Sequence, residues 1–190
     1  MGLRIVSFTF LVVFTVLFST FHMTTTPFTP YPLKVYYNNL NEYTKKEIDC
    51  LAQNIYFESA HEPKEGKVAV AFVTLNRVYS GYFPGSICEV VKQAHKNICQ
   101  FSWYCEGKSK HIVTGGLLTA SNSLLYNEIQ NLAIHVYANY EKLEDPSKGA
   151  LFYHADYVNP KWKNMEKTAV IGRHIFYNRK DSKNDSREKI

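Results

Sequence analysis

Two acidic residues, Glu58 and Glu62, have the type and spacing to do chemistry. Leu51, Ile55 and Glu58 stand at i, i+4 and i+7, so the Glu58 carboxyl rides on or beside an apolar helical stripe. Burial there penalises the charged form and should raise its pKa. A carboxylic acid still protonated near neutral pH is what a glycosidic oxygen needs as it leaves. The plain alternative is a glutamate near a helix C-terminus, exposed or paired with a lysine. Glu62 lies one turn further on and would complete an acid and nucleophile pair. Pro63 follows it directly, however, so a structural part at the start of the next helix is the better reading of Glu62.

Other catalytic patterns are missing. The seven histidines show no H-E-x-x-H and no H-x-E with a matching C-x-x-C, and no G-x-S-x-G occurs. Neither a zinc amidase or protease nor a nucleophile-elbow serine hydrolase is therefore indicated, and no cofactor is called for. The segment Cys99-Gln100-Phe101-Ser102-Trp103-Tyr104-Cys105 sets aromatic and amide side chains between two cysteines. It reads either as a rigid rim facing a sugar or as an apolar loop tucked under a disulfide.

These residues need elements to hold them. Thr44 with Glu47 is a capping-box pattern. The helix it opens carries Ile48, Leu51, Ala52, Ile55 and Ser59 at helical spacing. A second helix is predicted from about Lys64 to Ser80, with Val68, Ala71, Phe72 and Leu75 on its buried face and Gly81 as its stop. Ser86 with Glu89 starts a short helix, residues 95–116 read as loop, and a longer helix is predicted near 121–142. Strand-like runs at Ala150–Ala155 and Ala169–Tyr177 close the domain. The fold class is α+β, mostly helical with a small late β element.

The ends differ in character from the middle. Ile5–Phe21 is an unbroken apolar or hydroxylated run, and no charged residue occurs between Arg4 and Lys34. That is the short end of a bilayer span and the long end of a signal-peptide core. The His22–Pro27 segment that follows is a poor small-x-small cleavage site, which favours an uncleaved anchor. With Arg4 held inside, the domain would stand outside the cytoplasm, in a periplasm or at the cell surface, and cleavage would release it. The four cysteines agree with export: an even count there suggests two disulfides rather than zinc, with three pairings open. The expected organisation is an anchor over 1–22, a linker over 23–45, a globular domain over 46–177 and a polar tail over 178–190. The net charge of +5 is scattered without a basic, aromatic-interleaved stripe, so nucleic acid is a poor partner.

Five blocks, CLAQNIYFESAHEPKEGKVAVAFVTLNRV, FPGSICEVV, CQFSWYCEG, DPSKGALFYHA and IGRHIFY, follow one another over about residues 47–177. In order and spacing they resemble the cell wall hydrolase family, which includes the catalytic domain of spore cortex-lytic enzymes. The resemblance implies a lysozyme-like fold and cleavage of peptidoglycan between N-acetylmuramic acid and N-acetylglucosamine, often by lytic transglycosylation. It places the family's acid on Glu58. Substrate contacts fall on Gln100, Phe101 and Ser102 and on Tyr153 and His154, flanking the cleft. The chain departs at Ser59-Ala60-His61, where the family shows Ala-Arg-Gly, and so loses an arginine that could partner a carboxylate. Alternatives are a muramidase using water, a wall-binding protein that has lost catalysis, and a stem-peptide amidase.

Overall fold

The structure, a computed structural model, describes residues 33–108 and 120–180. The apolar run over 5–21, residues 23–32 of the expected spacer and the tail after Lys180 lie outside them. Six helices and five short strands make up the described residues. They are α1 (Leu33–Asn38), α2 (Glu42–Ser59), α3 (Lys64–Tyr79), α4 (Ile87–Lys92), α5 (Ser102–Cys105) and α6 (Ala120–Asn139), with β1 (Ala94–His95), β2 (Ile98–Cys99), β3 (Phe152–Ala155), β4 (Met165–Ile171) and β5 (His174–Arg179). The α+β class holds. The stretch expected to be an extended linker up to residue 45 is instead helical from Leu33, and Tyr37 of α1 donates to Asp49 of α2 at 2.8 Å.

The helix that carries Glu58 starts earlier than the Thr44–Glu47 box suggests. Asn41 is its cap, with Oδ1 accepting from the Thr44 N–H at 2.8 Å. Glu47 is free for another task. Its buried carboxylate accepts the N–H groups of Ile87 and Cys88, satisfying two amides that α4 would otherwise leave orphaned. The Ser86–Glu89 box on α4 forms as expected, with Ser86 Oγ accepting from the Glu89 N–H at 3.3 Å. Cys50 and Cys88 close a disulfide at the same contact, and Cys99 with Cys105 closes the other. No thiolate is left over for a metal.

The expected single buried face of α3 is a correction. Every residue from Ala69 to Leu75 is buried, whereas Val68 is only partly so. A helix that is apolar all round belongs in an interior. Ala71, Phe72 and Leu75 join the main core with Ile48, Leu51 and Ile55 of α2 and Ile129, Ala133 and Val136 of α6. Ala69 and Val73, on the other side, form a second cluster with Ile171 and Phe176 of the sheet.

The second late run also needs correcting. Ala169–Tyr177 is the tip of a hairpin rather than one strand, with a turn at Gly172-Arg173 between β4 and β5. The three strands lie in the order β3-β5-β4, all antiparallel, and a bulge interrupts β4 between Lys167 and Ala169. Gly172 has φ of +56°, which suits glycine. Within the stretch expected to be loop, β1 and β2 form a small hairpin and α5 one helical turn. Residues 109–116 of that stretch lie outside the described residues.

Candidate active site

Glu58 sits in the last turn of α2. Glu47, Leu51, Asn54 and Glu58 stand at i, i+4, i+7 and i+11, so three polar residues share the seam that faces the interior. Each has a partner. Glu47 caps α4. The fully buried Asn54 donates to Thr74 Oγ1 at 3.0 Å and accepts from Trp103 Nε1 at 3.1 Å. Glu58 Oε2 accepts from the Tyr153 hydroxyl of β3 at 3.1 Å. Beyond it the helix stops: Ser59 is buried with Oγ turned back onto the Ile55 carbonyl, and Pro63 caps α3 after a short turn. The residues from Tyr56 to Glu62 line a groove of about 320 Å³ into which the helix end opens.

Burial raises the Glu58 pKa above its ordinary value of 4.5, against the lowering pull of the Tyr153 hydrogen bond and the Arg77 charge. Burial, followed by the Glu58 charge, in turn lifts the Tyr153 phenol well above its usual range. The hydroxyl therefore stays protonated and keeps donating.

Arg77, on α3, was not singled out in the sequence. It is 5% exposed, and its Nε donates to the Leu151 carbonyl at 2.7 Å. Its guanidinium carbon lies 5.0, 5.2 and 5.7 Å from the ring centres of Phe83, Phe101 and Phe152. Burial lowers its pKa, while Tyr153 and Glu58 beside it favour its protonated form. The signal for it was available: an arginine i+4 from Val73 on a stripe otherwise apolar. It supplies a cation near Glu58 that Ala60, standing where the family shows arginine, cannot.

The expected contact residues separate. Tyr153 reaches Glu58. Phe101, 3% exposed, is a wall under Arg77 rather than an open surface. Gln100 and Ser102 are exposed beside it, with Ser102 hydrogen-bonded to Glu106. His154 lies on the opposite face of the sheet from Tyr153, because successive strand residues alternate. Its ring stacks on Tyr177 at 5.2 Å, Nδ1 donates to the Ala155 carbonyl at 2.8 Å, and Nε2 is 3.2 Å from the Tyr177 hydroxyl. Glu62 Oε2 accepts the Arg173 N–H at 2.9 Å, tying the end of α2 to the β4–β5 turn.

A carboxyl of raised pKa at a groove, hydrogen-bonded by a buried tyrosine and with a buried arginine nearby, marks the class of this α+β domain: one with a sheltered acid at the end of a helix. Comparison with known proteins gives this class a family. Residues 61–177 match the cell wall hydrolase family, and the chain belongs to it. The match takes in Arg77, Gln100–Ser102, Tyr153 and His154, and begins three residues after Glu58. The spore cortex-lytic enzyme of Bacillus cereus is 32% identical over 138 residues, 72% of this chain and 46% of that protein. That of Bacillus subtilis is 29% identical over 136 residues, 70% of this chain and 38% of its own length. The chain thus spans less than half the length of these curated relatives. Among solved structures, the catalytic domain of the Bacillus cereus SleB protein aligns with TM-score 0.54 and 31% identity, covering 73% of this chain and 94% of that one. The catalytic domain of the germination-specific lytic transglycosylase SleB from Bacillus anthracis aligns with TM-score 0.54 and 30% identity, covering 73% and 99%.

Proposed function

We propose that this domain cleaves the glycan strands of peptidoglycan between N-acetylmuramic acid and N-acetylglucosamine, as a lytic transglycosylase with Glu58 as its acid and base. The observation that carries the proposal is the Tyr153–Glu58 hydrogen bond, which fixes a carboxyl of raised pKa on a residue that lines a groove. Glu58 protonates the bridging oxygen as the bond to the muramic C1 breaks and positive character grows there. The resulting carboxylate then takes the proton from the C6 hydroxyl of the same sugar, whose oxygen bonds to C1 and closes a 1,6-anhydro ring. Glu58 ends as it began, protonated, and no water is consumed.

A single acid favours this route over hydrolysis. A retaining or inverting hydrolase needs a second carboxylate roughly 5–9.5 Å from the first. Glu62 is the other acid lining the groove, and its Oε2 is engaged by the Arg173 amide. Arg77 limits the negative charge that builds up when Glu58 has given away its proton. Gln100 and Ser102 are assigned to the flank of the glycan path, with Phe101 as the buried wall behind them; His154, on the far face of β3, is left out of it. The apolar run over 5–21 is assigned to a membrane anchor that keeps the domain outside the cytoplasm; among the described residues no helix is long and apolar enough to cross a membrane.

The test is digestion of purified sacculi followed by mass spectrometry of the released muropeptides. Wild type should give products lighter by one water than the muramidase products, and Glu58→Gln should give almost none. Reducing-end muramic acid would replace transglycosylation with hydrolysis, and cut stem peptides would replace both with an amidase.

A further inference from the structure

The outward face of the late sheet carries a second concavity that the Glu58 chemistry does not use. His154, Ile175 and Tyr177 alternate with the residues that pack toward α3, so they face away from it. The connection between β3 and β4 folds over them and leaves a groove of about 400 Å³. Its main wall is Trp162, 42% exposed, with ring centres 5.5 Å from His154, 5.8 Å from Tyr177 and 5.9 Å from Phe152. Val158 and Met165 add apolar surface, and Asp156 and Asn159 stand at the rim. Small-ligand sites occupy roughly 300–1,000 Å³, and the lining here mixes polar and apolar surface.

We propose that this groove is a second saccharide-binding site, taking an N-acetylated hexose of the glycan strand distant from the bond being cut. The chemistry of the lining selects that class. A hexose presents one face of C–H groups, which suits the indole, and a rim of hydroxyls, which suits an amide and a carboxylate. An acetamido methyl has apolar neighbours to meet in Val158 and Met165. The Trp162 ring is braced edge-on against His154 and Tyr177, so the indole loses little freedom when a ligand arrives. The groove also lies on the strand that positions Glu58: Tyr153 holds the acid on one face of β3 and His154 lines the groove on the other. A polysaccharide passing the acid can therefore meet both faces of one rigid element. The inference rests on the glycan reading above for its ligand, and its test is independent of catalysis.

The chain has two tryptophans, of which Trp103 is 3% exposed and Trp162 is 42% exposed. Titrating the folded protein with a soluble N-acetylglucosamine oligomer should therefore change the emission of Trp162 in a saturable way. Glu58→Gln should bind as wild type does. Trp162→Phe should lose the signal, and Asn159→Ala, which keeps the fluorophore, should weaken apparent binding several-fold. The wild-type ratio of the cleavage rate on intact strands to that on short fragments should also drop in Asn159→Ala. No emission change up to millimolar oligomer, or an unaltered titration in Asn159→Ala, would overturn the second site while leaving the role of Glu58 standing. Activity in Glu58→Gln would sink the catalytic assignment without touching the binding result.

Discussion

The two disulfides should differ sharply in what their removal does. Cys50–Cys88 joins residues 38 apart in sequence, and Cys99–Cys105 joins residues 6 apart. The chain-entropy account makes the longer closure worth about 3.9 kcal/mol and the shorter about 2.2 kcal/mol at 25 °C. The longer bridge also pins α2 to α4 beside the Glu47 cap, so its loss leaves that contact to the Glu47 hydrogen bonds and the packing of Ile87, Val90 and Val91. For a domain of this size each kcal/mol moves Tm by roughly 2–4 °C, so Cys50→Ala with Cys88→Ala should lower it by about 8–16 °C. Cys99→Ala with Cys105→Ala should lower it by about 4–9 °C. A domain starting from a typical stability of about 5–15 kcal/mol stays largely folded after either change, so room-temperature activity should survive the first pair. Far-UV circular dichroism melts of the two double variants and wild type, at one pH, give the comparison. A short-loop variant that melts at or below the long-loop variant would refute the loop-closure reasoning.

Glu58→Gln should reduce sacculus cleavage by about a hundred- to ten-thousand-fold, the usual worth of general acid–base help, with the far-UV spectrum unchanged. The same variant tests the buried charge. Because folding raises the Glu58 pKa, wild type loses stability as pH climbs above the ordinary value of 4.5, so the Tm advantage of Glu58→Gln should grow over that window and vanish below it. Tyr153→Phe removes a donor that favours the ionised acid, so Glu58 should keep its proton to higher pH and the alkaline limb of kcat/KM should move upward; a limb that stays put or moves down would contradict the assignment. Asn54→Leu leaves the buried Trp103 N–H without its acceptor and removes a donor from Thr74, and urea denaturation should show a loss of about 1–3 kcal/mol. Gly172→Ala meets both an unfavourable φ of +56° and overlap with Glu62 Oε2, so it should lower Tm and slow cleavage together.

Much of the helical half was legible because the apolar period is strong there. Leu51, Ile55 and Glu58 share one stripe in the sequence as they do in the fold, and the Ser86–Glu89 box marks a helix start correctly. The misses have physical causes. Thr44 and Glu47 have capping-box spacing, but Asn41 offers a short side-chain acceptor three residues earlier and wins the cap. The β4–β5 hairpin read as one strand because its two-residue turn, Gly172-Arg173, interrupts the apolar run too briefly to register. Spacing showed that Tyr153 and His154 are neighbours, but only the register of β3 on β5 shows that they face apart. Arg77 and Asn54 were visible as polar residues on apolar stripes. The hydrogen bonds of each depend on residues 20 to 74 positions away.

The Glu62–Arg173 tether has a consequence for anyone recombining members of this family. The carboxylate reads a backbone amide rather than a side chain, so almost any residue at position 173 is compatible with it, while Gly172 must stay bare. The hairpin tip and the Ser59–Pro63 turn therefore behave as a single cassette. A chimera that imports one without the other would leave the Glu58 helix unmoored at its C-terminal end.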